Sequence, residues 1–283
     1  MTKILFIADF FVEDITGGGE LNNEELINIL RKKNSLIQLR SHLVDDKSLD
    51  NADGIIVANF INLDKNILSK ITMGKIPYMI YEHDHKYLKT RNPALYKDYI
   101  APAADIVNFD FYKNARAVVC QSQYHKDILI KNLKLNNIIS VGGNIWSLEA
   151  LEKINFFSTK VKKNACSIMN SLISHKNTFA AIEYCNKENK SYDLINSCAY
   201  YDFLDQISNN DTLVFFPKTP ETLSRIVVEA RMMNMKVITN NLVGATKEEW
   251  FKYKGEKLIS IMKEKRNNIA TLIEDIFNET KQI

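Results

Sequence analysis

The chain has 283 residues, 46% of them apolar and 25% charged, with a formal net charge of +3. These proportions suit one large globular domain or two of moderate size and exclude disorder and collagen-like repeats. The small positive charge does not by itself announce a nucleic-acid binder, and no apolar run approaches the roughly 20 residues that span a bilayer.

The opening "MTKILFIADFFVED" has the look of a signal peptide, but Asp9 interrupts its apolar run and a glycine turn follows without a cleavage site. Its core, "KILFIADFFV", is a near-continuous apolar run of the kind that fills a parallel sheet covered on both faces. After "TGGGE" a helix is expected from about Glu20 to Lys33. Further strands are expected at "LIQLRSHL", "GIIVANF", "PYMIYEH", "AVVCQS" and "IISVGG", with helices around residues 63–72 and 123–132. Residues 1–145 thus read as a doubly wound α/β domain. From Trp146 to about Lys163 a helix "SLEALEKI" and a basic, non-periodic run "STKVKKN" read as a linker.

The alternation restarts with "ACSIMN", a helix from about Lys176 to Asn186, "SYDLINS", a short helix "YDFLDQI", "TLVFFP", a further helix and "MKVITNN". This is a second, smaller α/β domain, placed at 146–262. An amphipathic helix, "RNNIATLIEDIFNET", dominates a last segment, 263–283, expected to pack near the interdomain region. Two similar halves in tandem imply a cleft between them, and open α/β sheets bind ligands at the carboxyl ends of their strands. Cys120, Cys166, Cys185 and Cys198 lie far apart without metal-ligand spacing and read as reduced, mostly buried thiols. The expected location is the cytoplasm, soluble or at most membrane-peripheral.

The stretch "FFPKTPETLSRIVVEARMMNMKVIT" reads as a helix that starts after Pro220 and carries Glu221 and Glu229. Eight helical steps would separate their carboxylates by roughly 12 Å along the axis, too far to attack one atom. Glycosidase pairs, which do share a bond, stand roughly 5 to 9.5 Å apart. Joint work by these acids therefore requires a long ligand. Leu223, Ile226, Val227, Ala230 and Met233 fall on the sheet-packed face, with Glu229 at its flank. Glu221 alone could simply complement the helix dipole, at about 0.3 to 1 kcal/mol. The N–H groups of Thr222, Leu223 and Ser224 would offer a phosphate a seat at the helix start.

This run, through "NNLVGATKEEW", resembles the donor-site segment of retaining GT-B glycosyltransferases, in the large family 4-like group that includes sucrose, mannosyl and bacterial polysaccharide transferases. The matching residues are Pro217, Glu221, Glu229, Ala230 and "KVIT". The resemblance implies a GT-B fold, two Rossmann-like doubly wound α/β domains facing across a cleft. It implies that Glu221 contacts the transferred sugar and Glu229 the nucleotide ribose. "GGGE" is similar to the family's glycine loop, bringing the backbone of Gly17, Gly18 and Gly19 to the donor diphosphate and acceptor. "YEHDH" resembles a strand-end His-Asp, setting His83 beside the sugar, and "SLISHKNTFAAIEYC" resembles a helix start that puts Lys176 on the diphosphate. Asn170 stands where the family has an arginine about six residues before that lysine, so one phosphate-neutralising charge is missing. Ser224 replaces a glycine three residues after the first glutamate, and Asn234, which tolerates left-handed geometry, stands near another.

Each feature has a plainer reading. "GGG" in isolation is a turn, and it lacks the dinucleotide spacing of an NAD site. His83, Asp84 and His85 alternate faces of a strand without a third ligand, so no metal is expected. Lys176 alone is a solvated helix-start lysine. In "HKYLKTRNPALYKDY", Lys86, Lys89, Arg91 and Lys97, interleaved with Tyr87 and Tyr96, form a solvated helix face or an acceptor-binding patch for an anionic partner. That partner would be a lipid-linked glycan or DNA, since phage enzymes of GT-B fold glucosylate hydroxymethylated cytosine. Taken in this order, the positions strengthen the resemblance, which implies a metal-independent, retaining glycosyltransferase without a cofactor beyond its nucleotide-sugar co-substrate. A UDP-sugar is the first expectation among UDP, GDP and ADP donors, and Tyr200 or Tyr201 could stack on the base. Domain closure would exclude water. The departures support a second reading, a catalytically reduced relative that binds a glycan or a partner protein.

Overall fold

In the computed structural model, which describes residues 1–278, the unbroken apolar runs become strands of parallel sheets covered on both faces. The chain divides into two units, one formed by Met1–Ile145 with the chain from Lys265 onward, the other by Trp146–Glu264.

The first unit alternates β1 (Lys3–Ala8), α1 (Gly18–Leu30), β2 (Ser35–Arg40), α2 (Asp46–Asp50), β3 (Gly54–Val57), α3 (Lys65–Met73) and β4 (Tyr78–Glu82). It continues with α4 (Phe109–Asn114), β5 (Ala117–Cys120), α5 (Gln123–Leu133) and β6 (Ile138–Ser140). The strand order is β2-β1-β3-β4-β5-β6. Side chains alternate between two cores: Leu5, Ile7, Ile55, Val57 and Ile80 face one layer of helices, while Ile4, Phe6, Ile56, Met79 and Tyr81 face the other. That two-sided burial is why these strands show no polar alternation, and each fully buried Ile or Phe adds about 1.5–3 kcal/mol. Between β4 and α4, where a helical face was one expectation, the chain instead makes single 3-10 turns at Pro93–Leu95, Lys97–Tyr99 and Ala103–Asp105. Arg91, Asp98, Tyr99 and Asn108 there have positive φ, which a continuous helix cannot accommodate.

The second unit runs α6 (Leu148–Ser158), β7 (Lys163–Asn170), α7 (Thr178–Lys187), β8 (Tyr192–Asn196), α8 (Tyr200–Ile207), β9 (Asn210–Phe215), α9 (Arg225–Met232) and β10 (Lys236–Thr239). Its order is β10-β9-β7-β8. In both sheets the first strand has its successor on one side and its third strand on the other, the switch point at which α/β sheets open a crevice.

The linker reading of 146–163 is corrected. Trp146, Ala150, Leu151, Ile154 and Phe157 are buried in the second unit's core with Leu204 and Val228. The lysines that suggested a linker are edge residues: Lys160 pairs with Asp205 at 2.7 Å, and Lys162 donates to the Ser208 carbonyl at 2.8 Å. The last helix, α10 (Gly255–Asn278), begins well before Arg266. It contributes Leu258 and Met262 to the second unit's core and Ile269, Ile273 and Phe277 to the first unit's. Residues 279–283 of the expected C-terminal segment lie outside the described residues. No helix among the described residues is long and apolar enough to cross a membrane.

Candidate functional site

In the second unit, Lys176 and Glu221 meet at the switch point. β7 ends at Asn170, and the turn that follows is pinned by Thr178, whose hydroxyl donates to the Met169 carbonyl at 2.8 Å and accepts from the Ser171 N–H at 3.1 Å. The turn after β9 is tied to it, since Lys218 N–H donates to the His175 carbonyl at 2.8 Å and the Asn177 amide donates to the Phe216 carbonyl at 3.0 Å. Across these turns Lys176 Nζ donates to Glu221 Oε1 at 2.8 Å, with the two side chains 25% and 15% exposed. Asn170 donates to Asn196 Oδ1 at 2.7 Å, bridging the ends of β7 and β8.

Glu221 does not lie on the helix, and this corrects the expected geometry. Its backbone forms a parallel bridge with Val243, donating to the Leu242 carbonyl at 2.7 Å and accepting from Gly244 N–H at 2.9 Å. The Leu223 carbonyl is held in turn by Ala245 N–H at 3.0 Å, and Ser224 adopts φ 72° before α9 opens at Arg225. Thr222 and Leu223 therefore precede the helix, and Leu223 is a core side chain. Arg225 and Ile226, not Thr222 and Leu223, supply the amides of the first turn. The left-handed backbone at Ser224 and at Asn234 (φ 64°) explains why glycine is the related pattern at these places.

Glu229 is held inside the second unit. Its Oε1 accepts from Trp146 Nε1 at 2.9 Å and Tyr200 Oη at 2.6 Å, and Arg225 Nε lies 3.2 Å away. The Arg225 guanidinium also covers the Trp146 indole at 4.4 Å. Burial, then the Glu229 charge, pushes the Tyr200 phenol well above its ordinary pKa, so it stays a donor. The Tyr200 hydroxyl is thereby committed to Glu229. Trp146 and Tyr200 were missed as neighbours of Glu229 because nothing local joins them to α9. Arg225 was visible in principle, four residues before Glu229 on one helix face.

In the first unit the three glycines open α1: Gly17 is the N-cap, and Gly18 and Gly19 form its first turn, two residues earlier than expected. A side chain at Gly19 would stand 3.7 Å from the His83 ring, so the glycines and His83 adjoin. His83 Nε2 donates to Asn23 Oδ1 at 2.7 Å. Burial and then the Lys86 charge lower the His83 pKa to about 3, so it acts as a neutral imidazole.

Lys86 is corrected as an acceptor contact. Its side chain is 0% exposed, and its ammonium is committed to Glu82 and, at 3.2 Å, to Asp84 Oδ1. Tyr112 Oη donates to the other Glu82 oxygen. Burial works against the Asp84 carboxylate, but Lys86 and Arg91 outweigh it and hold its pKa at about 2. Arg91 reaches Asp84 Oδ2 at 2.6 Å, while Lys89 is exposed. Tyr87 is wholly buried and so offers no stacking platform, and Tyr96 donates to Asp105 at 3.0 Å. Among the described residues no group of three or more His, Cys, Asp or Glu is arranged to hold a metal ion.

No family model and no curated protein matches the chain. Solved structures do. HepE from Anabaena, in complex with UDP and glucose, aligns with a TM-score of 0.57 at 12% identity over 100% of this chain and 95% of that one. The same protein in complex with UDP-glucose gives 0.56 at 14%, over 97% and 90%. An alpha-glucosyltransferase in complex with UDP and a 13-mer DNA containing an HMU base gives 0.52 at 10%, over 95% and 90%. With two parallel-sheet α/β domains, of six and four strands, that align over nearly their full length with these proteins, the chain has the GT-B glycosyltransferase fold.

Proposed function

We propose that this protein is a metal-independent, retaining glycosyltransferase that moves a sugar from a nucleotide-sugar, a UDP-sugar first among candidates, to an acceptor hydroxyl. The observation that carries the reading is the Lys176–Glu221 pair, part-exposed at the carboxyl edge of the second unit's sheet. The fold shared with proteins that bind UDP or UDP-glucose supports it.

In this reading the bond between the sugar's anomeric carbon and the diphosphate oxygen breaks first, and the nucleotide diphosphate leaves with the electron pair. Lys176 and the first-turn amides of α9 meet that developing charge, as preorganised dipoles do most effectively. The acceptor oxygen bonds to the same carbon from the same face and passes its proton to the departing phosphate. Glu221 orients sugar hydroxyls and, by holding Lys176, keeps the ammonium on station until phosphate replaces it. Glu229 positions the ribose with a carboxylate braced by Trp146, Tyr200 and Arg225. Asn170 lines the donor side as an uncharged hydrogen-bonding group. Within the first unit, the reading keeps neutral His83 and the adjoining Gly17, Gly18 and Gly19 backbone as that unit's own polar group.

A panel of UDP, GDP and ADP sugars, read by melting shift and nucleotide release in the presence of EDTA, tests this. A UDP-sugar is expected to raise the melting temperature, and Lys176→Ala to weaken its binding at least tenfold, about 1.4 kcal/mol. Anomeric configuration of the product by NMR checks retention. A folded protein that answers to no donor would instead be a glycan- or protein-binding module.

A further inference from the structure

Building on the transferase reading, we propose that the acceptor is an uncharged saccharide and that it docks in a cavity of the first unit's own switch point. The cavity, about 480 Å³, lies at the carboxyl ends of β1, β2 and β3. That is small-ligand size, at the place where an open α/β sheet presents its crevice.

The wall is built in advance of any ligand. Asp9, directly after β1, is buried and accepts a hydrogen bond from the Ser41 hydroxyl, and it accepts from the Ile61 and Asn62 N–H groups at 2.9 Å each. One carboxylate thereby locks the loops that follow all three strands. Beside it, Arg40 at the end of β2 grips Asp14 with two parallel bonds, 2.9 and 2.8 Å. Three large apolar side chains complete the lining and remain open to water: Phe10 at 41%, Ile15 at 48% and Leu43 at 54% exposure. An apolar lining with a few fixed polar groups among it is the composition that small-ligand sites use.

A pyranose matches that combination. Its C–H faces cover apolar side chains, and its neighbouring hydroxyls both donate and accept, which suits a carboxylate beside a guanidinium. A polyanion does not match: two carboxylates, Asp9 and Asp14, face Arg40 and His42, leaving no excess positive charge for phosphodiesters. The acceptor surface thus moves from the Lys89 and Arg91 stretch, where Lys86 is buried, to the ends of β1–β3.

The test titrates the full chain with neutral disaccharides, acidic disaccharides and an oligodeoxynucleotide carrying a hydroxymethylated pyrimidine, followed by saturation-transfer NMR and calorimetry. Neutral disaccharides are expected to bind, and Leu43→Asp and Asp14→Ala each to weaken them at least tenfold, with melting temperature checking that each variant is folded. Preference for the oligonucleotide or acidic sugars, or saccharide binding unaltered in both variants, would overturn the assignment. The same wild-type preparation is scanned with nucleotide sugars. A donor response without saccharide binding sinks the pocket alone, whereas Leu43-dependent saccharide binding without any donor response supports the pocket and sinks the transferase reading.

Discussion

Two lysine–glutamate pairs stand at the carboxyl ends of strands in the two sheets, and they differ in their access to water. In the first unit, Lys86 and Glu82 are both 0% exposed, and the pair is saturated by Asp84 and Tyr112. In the second, Lys176 and Glu221 meet at 2.8 Å with 25% and 15% of their side chains exposed. Removing two charges from water is costly, so the inner pair is tolerated only because every partner is supplied internally. Such a pair has nothing left for a ligand and specifies how the loop after β4 folds. The outer pair keeps access to water, as the proposed exchange of Glu221 for a donor phosphate on Lys176 requires. Residue type is the same in both places; solvent access is what differs.

The sharpest way to break this contrast is Lys86→Ala. It strands Glu82 in the interior and is expected to cost about 3–5 kcal/mol in urea unfolding, the range for a broken buried pair. Lys176→Ala, by contrast, should change the free protein's stability by about 1 kcal/mol or less, as expected of a part-exposed pair. Equal losses in the two variants would erase the distinction.

Acid should single out the first unit next. Burial lowers the His83 pKa to about 3 and the His85 pKa to about 4, against an ordinary 6.5. Between those values the unfolded chain binds more protons than the folded one. Stability from these histidines is therefore complete above pH 6.5 and falls as pH drops toward 4. Urea midpoints from pH 7 to 4.5 measure it, and His83→Gln should flatten part of the slope.

The smallest effect belongs beside the outer pair. Ser224 holds φ 72° with its hydroxyl buried and unpaired, so Ser224→Gly should stabilise the free protein by about 1 kcal/mol, raising its melting temperature. If the melting temperature falls, the backbone there is not strained and the helix boundary needs another cause.

The sequence by itself determined the alternation of apolar runs and helices, because a sheet buried on both faces requires unbroken apolar strands and its crossovers require amphipathic helices. It also ordered the candidate residues along strand ends, where parallel sheets expose them. Only tertiary structure decided which charges face water. Lys86 and Lys89 belong to the same basic stretch, yet one is buried beside Phe60 and paired with Glu82 and the other is exposed. The start of α9 was likewise hidden: the bridge between Glu221 and Val243 and the left-handed turn at Ser224 withdraw four residues from a pattern that local spacing extends to Pro220. Glu229 acquires Trp146 from a segment more than eighty residues away, which read as a linker because its lysines are local and its burial is not. Periodicity reports what a residue's immediate neighbours demand, whereas burial and ion pairing are set by chain segments that meet only once the sheets have formed.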